Sequence, residues 1–258
     1  MQEIIARNGT AAFVVLTFAI SFVSGLTAFS VGGDQTFQSL PALPLLLTAI
    51  WAPNLAAIIV SAVEGRLGHF LAPLYSFSPS TMWVFALVPM GVAVYLGVKS
   101  DGNLQISPAT WAILIGMNLI MGPLGEEMGW RGFFLPRLIP HLGTVGAALV
   151  VGIIWAVWHL PLWFLPSPQS QLSLPVFFVT VICFSVIMTG IWVATNGEIW
   201  PMVLFHLAAN VGVGWLEVSK TLDASAAYRQ GMPIYVGLAV ASSIWLAWQT
   251  RNVCVVAQ

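Results

Sequence analysis

Long apolar runs alternate with short, turn-rich segments along the whole chain. A helix that crosses a membrane needs about 20 predominantly apolar residues. The runs predict eight such helices, at roughly Thr10–Val31, Leu43–Val63, Met82–Val98, Ala109–Phe134, Val145–Leu165, Leu174–Thr195, Ile199–Trp215 and Pro233–Gln249. The pattern therefore predicts an all-α fold, a polytopic integral membrane helical bundle of about eight transmembrane helices. We expect residues 1–258 to form a single membrane domain.

The composition supports this interpretation. Hydrophobic residues make up 59% of the 258 residues and charged residues only 7%, with a mean hydropathy of +0.91. A soluble domain carries about 25% charged residues, so lipid rather than water must solvate much of this surface. The net charge of −1, without a basic cluster, argues against a nucleic-acid partner. Cys183 and Cys254 lie far apart in apolar segments and indicate neither a disulfide framework nor a cysteine-based metal site.

Lysine and arginine in short loops indicate the orientation in the membrane. With eight spans both termini lie on the same side. That side would carry five cationic residues: Arg7, Arg66, Arg131, Arg137 and Arg251. The opposite side would carry three: Lys99, Lys220 and Arg229. This distribution favours cytoplasmic termini and places Glu126 in the cytoplasmic half of the bilayer.

Three of the few charges, Glu126, Glu127 and Arg131, lie within the fourth apolar run. An ionisable residue inside a membrane span is a functional hypothesis by default. Glu127 and Arg131 are four apart on one helix face and are predicted to form an ion pair. Glu126, rotated by about 100°, has no such partner on its own helix. A carboxylate in a medium of low dielectric accepts a proton more readily, which suits a general base. The alternative is a charge cluster that anchors the helix end.

Two later runs carry further polar side chains. His159 stands just before Pro161, which disrupts regular helix. His206 and Asn210 are four apart and could offer two neutral hydrogen-bond donors to one oxygen, as an oxyanion hole does. The alternatives are a hydrogen-bonded core histidine and a polar contact between membrane helices. Taken together, a carboxylate, an imidazole and a donor pair are a suitable set for hydrolysis of an amide by water.

These residues form three motifs, in this order on separate predicted helices: Glu126-Glu127-x-x-x-Arg131, Trp155-x-x-x-His159 and His206-x-x-x-Asn210. The set resembles the CPBP intramembrane proteases, the CAAX prenyl protease and bacteriocin-processing family, also called Abi. Residues Gly129–Leu138 also look like the first motif of that family. The resemblance covers 109–214, which we expect to be a CPBP-like catalytic core. One departure is that Trp155 stands where the second motif of the family usually has phenylalanine.

The resemblance implies a role for each motif residue. Glu126 would activate water, His159 would assist it, His206 and Asn210 would form the oxyanion hole, and Glu127 and Arg131 would support the first motif. It favours a glutamate mechanism without a cofactor. Zinc held by Glu126, His159 and His206 is the alternative.

The implied function is that of an intramembrane endopeptidase. It would hydrolyse a peptide bond of a membrane-associated or prenylated, CAAX-type substrate, with membrane lipid and that substrate as partners. The small size and short loops favour a prokaryotic plasma membrane over the endoplasmic reticulum. A non-enzymatic membrane scaffold or bacteriocin self-immunity protein on the same fold is the alternative. A transporter with Glu126 as a proton-coupled site is less favoured, because internal repeats are missing.

One geometric expectation opposes a shared site. Counted from the predicted span ends, Glu126 and His206 lie about 12–18 Å from the cytoplasmic side, and His159 about 21 Å. The three residues can meet only if the fifth span starts later than Val145, tilts, or lies low in the bilayer.

Overall fold

The computed structural model describes residues 8–77 and 81–256, with side chains for 8–77 and 81–249. Every regular element within these residues is helical. Arg7 and the side chains of Arg251 and Cys254, which the sequence analysis used, lie outside the described part. The all-α prediction is confirmed for the residues that the structure describes.

The α-helices follow one another in chain order: α1 (Gly9–Gly32), α2 (Leu43–Ile50), α3 (Ala52–Val63), α4 (Leu67–Leu71), α5 (Val88–Lys99), α6 (Pro108–Ile120), α7 (Pro123–Glu127), α8 (Leu135–His159), α9 (Leu174–Ala194), α10 (Trp200–Val218) and α11 (Ala224–Val256). A π-helical turn, Met128–Phe134, joins α7 to α8. Short 3₁₀ turns occupy Gly33–Gln38, Ala72–Tyr75, Thr81–Leu87, Leu160–Trp163 and Pro168–Gln171.

Six helical stretches of the described chain are long and apolar enough to cross a membrane: Gly9–Gln38, Thr81–Lys99, Pro108–Trp163, Leu174–Ala194, Trp200–Val218 and Ala224–Gln249. A seventh results if α2 and α3, bent by 62°, count as one span. The polytopic helical bundle is thus confirmed, whereas the count of eight spans is not.

The predicted fourth span and all but the last two residues of the fifth lie within one helical stretch of 56 residues, Pro108–Trp163. The segment between them contains Pro136, Arg137 and Pro140, yet α8 already begins at Leu135. Proline is tolerated in the first turn of a helix, where its missing N–H has no intrahelical partner. The break falls instead at Gly143, whose φ of +66° lies in the left-handed region that glycine adopts readily.

Helix α9 supports the part of α8 that leads to His159. The Ser185 hydroxyl donates a hydrogen bond to the Ala148 carbonyl oxygen at 2.8 Å. A Cβ atom at Gly152 would lie 2.9 Å from the Cα atom of Ile182, so the two backbones are in close contact. Small residues allow such approaches between membrane helices. The position of α8 is therefore fixed from one side by α9.

The bend between α2 and α3 holds the segment that carries the two glutamates. The Asn54 amide donates to the Leu124 carbonyl oxygen at 2.7 Å and accepts from the Gly129 backbone N–H at 2.8 Å. These two backbone groups are five residues apart, the spacing that a π-helical hydrogen bond would join. A Cβ atom at Gly129 would lie 2.5 Å from the Pro53 carbonyl oxygen. Glycine at this position therefore permits the close approach that the Asn54 bridge requires.

We predict that Asn54→Leu lowers stability markedly. The substitution keeps the side-chain volume similar but leaves the Leu124 carbonyl and the Gly129 N–H without their partner. A buried polar group left unsatisfied costs about 1–3 kcal/mol, so the thermal midpoint in detergent should fall by roughly 5 °C or more. Thr48→Ala is the control, because Thr48 bonds only the Pro44 carbonyl of its own helix. Equal midpoints for the two variants would contradict the role of Asn54.

Candidate active site

The first motif is buried at the junction of α7 and the π-helical turn. Glu126 is 3% exposed, and Glu127 and Arg131 are completely buried. Arg131 Nη1 donates to Glu127 Oε1 and Oε2 at 3.0 and 2.9 Å. The ion pair predicted from the spacing of four residues is therefore present. Its burial makes both charges dependent on each other, since an unpaired charge in a medium of low dielectric is strongly unfavourable.

Glu127 has a second partner that the spacing did not indicate. His206 Nδ1, on α10, lies 2.7 Å from Glu127 Oε1. A carboxylate paired with Arg131 is ionised and can only accept, so Nδ1 carries the hydrogen. Glu127 thus sets the orientation of the His206 ring and leaves its Nε2 atom for other contacts. The carboxylate ties α10 to the first motif.

Glu126 is also hydrogen-bonded, although to another helix. Trp155 Nε1, on α8, donates to Glu126 Oε2 at 2.7 Å. The sequence analysis predicted no partner for Glu126 on its own helix, and it did not indicate this partner on α8. Among the described residues, the Trp155 indole is the hydrogen-bond donor to Glu126 Oε2, and Glu126 Oε1 makes no hydrogen bond.

His159 is the last residue of α8. Its Nδ1 atom lies 2.8 Å from the Trp155 carbonyl oxygen. A carbonyl only accepts, so Nδ1 carries the hydrogen, and Nε2 of the neutral ring has a free lone pair. The ring makes edge contacts with Trp155, Trp158 and Phe177, at centroid distances of 6.0, 4.7 and 5.3 Å. The imidazole is thus fixed in both orientation and tautomer.

Asn210 and His206 face a common small space one turn apart on α10. A Cβ atom added to Gly122 would lie 3.0 Å from Asn210 Nδ2 and 3.6 Å from His206 Nε2. Gly122, just before α7, therefore leaves room in front of both polar atoms. This room is what an oxyanion between two donors would need.

A single cavity connects these groups. Glu126, His159, His206 and Asn210 all line a cavity of about 500 Å³, whereas Glu127 and Arg131 do not. Much of the remaining lining is apolar, with Phe18, Phe22 and Phe29 of α1 along one wall. Of the six site residues proposed from sequence, four face the cavity and two lie behind it.

The difference in membrane depth that the predicted spans imply does not keep Glu126 and His159 apart, since both line the cavity. The helical stretch continues beyond Phe134 as far as the break at Gly143, so Glu126 lies farther from its end than the predicted span implied. Glu126 is 17 residues before Gly143 (143 − 126) and His159 is 16 residues after it (159 − 143). Both residues therefore lie at similar distances along the chain from this break.

The zinc alternative lacks a suitable ligand cluster. Within the described side chains, no three His, Cys, Asp or Glu residues gather in a way that could hold a metal ion. This applies to Glu126, His159 and His206, although they share the cavity. We therefore derive no step through a metal ion.

Three contributors were missed by the sequence analysis. Trp155 was noted only as a departure from a motif, and Gly122 and Asn54 were assigned no role. An asparagine inside an apolar run is a usable signal, because a polar side chain there needs a partner. The spacing of residues along the chain contains no comparable signal for Gly122.

The region that contains the three motifs is similar to known proteins. A family model described as "Type II CAAX prenyl endopeptidase Rce1-like" matches residues 108–212. A curated protein named CAAX prenyl protease 2, from Methanococcus maripaludis, is 21% identical over 231 residues, which is 81% of this chain and 85% of the relative. Both matches support the resemblance to CAAX prenyl proteases that the three motifs indicate. The residues matched by the family model contain all three motifs.

We predict that Arg131→Met destabilises the protein strongly, because it leaves the Glu127 carboxylate buried without its cation. Removing one partner of a buried ion pair costs about 3–5 kcal/mol. Arg137→Met is the control, since Arg137 pairs with Glu64 at a partly exposed position, where an ion pair contributes about 0–1 kcal/mol. Thermal unfolding in detergent measures both, and a double variant Glu127→Gln/Arg131→Met should recover part of the loss. Equal midpoints for Arg131→Met and Arg137→Met would contradict the prediction.

Proposed function

We propose that this protein is an intramembrane endopeptidase in which Glu126 activates water to hydrolyse a peptide bond. The supporting observation is that Glu126, His159, His206 and Asn210, from three motifs, line one cavity inside a helical membrane protein. The name of the M. maripaludis relative, a CAAX prenyl protease, supports a prenylated or otherwise membrane-associated peptide as substrate.

In the proposed reaction, Glu126 Oε1 takes a proton from a water molecule, and the resulting hydroxide attacks the peptide carbonyl carbon. The negative charge on the carbonyl oxygen is stabilised by donors on His206 and Asn210. The proton then passes to the leaving amide nitrogen, and the C–N bond breaks. His159 Nε2, with its free lone pair, accepts a hydrogen bond from the attacking water and orients it.

His206 requires a specific protonation state in this mechanism. Its Nδ1 hydrogen is engaged by Glu127, so Nε2 can donate to an oxyanion only when the ring is an imidazolium. A charged donor forms stronger hydrogen bonds than a neutral one. His206 would therefore act as a charged donor beside the neutral Asn210 amide, rather than as one of two neutral donors.

The apolar part of the cavity suits a substrate with a lipid chain. Phe18, Phe22 and Phe29 of α1 offer aromatic surface on the same cavity as the catalytic groups. Burial of apolar surface contributes roughly 25 cal/mol per Å², and this contribution favours an isoprenyl or acyl chain over a polar side chain. We propose that the protein is a multi-pass component of a prokaryotic plasma membrane, in keeping with its small size and short loops.

We predict that Glu126→Gln, Glu126→Ala and His159→Ala abolish or greatly reduce cleavage of a farnesylated CAAX peptide by purified protein in vesicles. Loss of a general base lowers rates by about 10²–10⁴-fold. The matched control is Glu198→Gln, because Glu198 is also buried and also bonded by a tryptophan indole, that of Trp83, but does not line the cavity. This variant should cleave as the wild type does.

Wild-type rates in all three variants would contradict the proposed mechanism. Loss of activity on treatment with a chelator, restored by added Zn²⁺, would replace it by a metal mechanism. If the wild type cleaved neither prenylated nor unprenylated membrane peptides, the non-enzymatic scaffold or immunity protein would become the better hypothesis.

We further predict that Gly122→Ala lowers kcat by about tenfold to a hundredfold. Loss of one oxyanion-hole donor lowers kcat by about 10²–10³-fold, and a donor that is only displaced should lower it less. The added methyl group would crowd Asn210 Nδ2 at 3.0 Å and occupy the space in front of His206 Nε2. Gly116→Ala on α6 is the control, because a Cβ atom there meets nothing within 4 Å. Steady-state kinetics on the farnesylated peptide would measure both, and equal kcat values would exclude an oxyanion hole at this place.

A further inference from the structure

Trp155 contacts four residues of the site: Glu126, Arg131, His159 and His206. Its indole N–H donates to Glu126, and its carbonyl oxygen accepts from His159. The Arg131 guanidinium carbon lies 4.3 Å from its ring centroid, and the His206 ring packs edge-on at 5.2 Å. The side chain is 2% exposed, so its ring has little freedom to move.

The indole N–H is a feature that phenylalanine, the usual residue of the second motif in similar proteins, cannot supply. A phenyl ring would fill part of the same space and could still contact Arg131 and His206. It would leave Glu126 without the donor that holds Oε2 in this chain. We propose that Trp155 is a positioning residue, which fixes the Glu126 carboxylate so that Oε1 faces the cavity.

This inference rests on the proposed function, in which Glu126 is the general base. A glutamate has three rotatable side-chain bonds, and a base is effective only within hydrogen-bond reach of the proton that it abstracts. Catalytic groups are held in place by a surrounding layer of hydrogen bonds and packing. Cation–π contact with Arg131 and edge contact with His206 restrain the indole. The indole N–H is therefore held in one position, and its hydrogen bond restrains the Glu126 carboxylate in turn.

The experiment compares Trp155→Phe with the wild type on the farnesylated CAAX peptide. A hydrogen bond to a charged group is worth enough to change a rate by about tenfold or more. We expect kcat to fall by that factor while KM stays within about twofold, because Glu126 touches the water rather than the bulk of the substrate.

The control is Trp83→Phe. It makes the same change in size and also removes an indole hydrogen bond to a buried glutamate, that of Trp83 to Glu198 at 3.0 Å, away from the cavity. Its kcat should equal that of the wild type. A second test replaces Trp155 with 3-benzothienylalanine, which retains the bicyclic shape and substitutes sulfur for the N–H group. This variant should lose kcat as Trp155→Phe does, although its bicyclic side chain keeps the packing of the indole against Arg131 and His206.

The outcomes separate this inference from the proposed function. Wild-type kcat in the benzothienyl variant would overturn the positioning role, as would an equal fall of kcat in Trp155→Phe and Trp83→Phe. If Glu126→Gln is inactive while the benzothienyl variant is fully active, only the role of Trp155 fails. If Glu126→Gln cleaves at the wild-type rate, the proposed function fails, and the role of Trp155 fails with it.

Discussion

The buried carboxylate of Glu127 is the group on which the arrangement of the site depends. It accepts from Arg131 in the π-helical turn and from His206 on α10, and it has no exposed surface. A charge in such a place is tolerated only when it is paired and hydrogen-bonded. The first motif and α10 must therefore stay in contact for the chain to remain folded. This contact brings His206 Nε2 and Asn210 opposite Gly122.

The two adjacent glutamates are separated by their directions on the helix. Glu127 faces away from the cavity toward Arg131, while Glu126 faces it. Within the described residues, Arg131 Nε and Nη2 have no hydrogen-bond partner, and the guanidinium instead rests on the Trp155 ring. Cation–π contacts of this kind gain strength when water is excluded. Trp155 thus links the structural carboxylate, through Arg131, to the carboxylate that faces the cavity.

Sequence reasoning succeeded where the relevant contact lies on one helix and failed where it joins two. The Glu127–Arg131 pair follows from a spacing of four residues. The hydrogen bonds from Trp155 to Glu126 and from His206 to Glu127 join residues 29 and 79 positions apart. Helix periodicity predicts contacts within one helix and not between residues so far apart in the chain. The count of eight spans is not confirmed, since the predicted fourth span and most of the fifth share one helical stretch, and the apolar pattern did not indicate its break at Gly143. Composition was sufficient for the membrane class, since it concerns the whole surface rather than one contact.

The hydrogen bonds of the cavity residues follow one rule. Glu126 uses Oε2, and both histidines use Nδ1, to bond other parts of the protein. Within the described residues, Glu126 Oε1, the two Nε2 atoms and the Asn210 amide make no hydrogen bond, although the four residues line the same cavity. A polar contact that merely joined membrane helices would satisfy these atoms within the protein, because lipid cannot do so. Polar atoms that are fixed from one side and face a shared cavity on the other support the proposed roles of these residues in binding water and a peptide carbonyl.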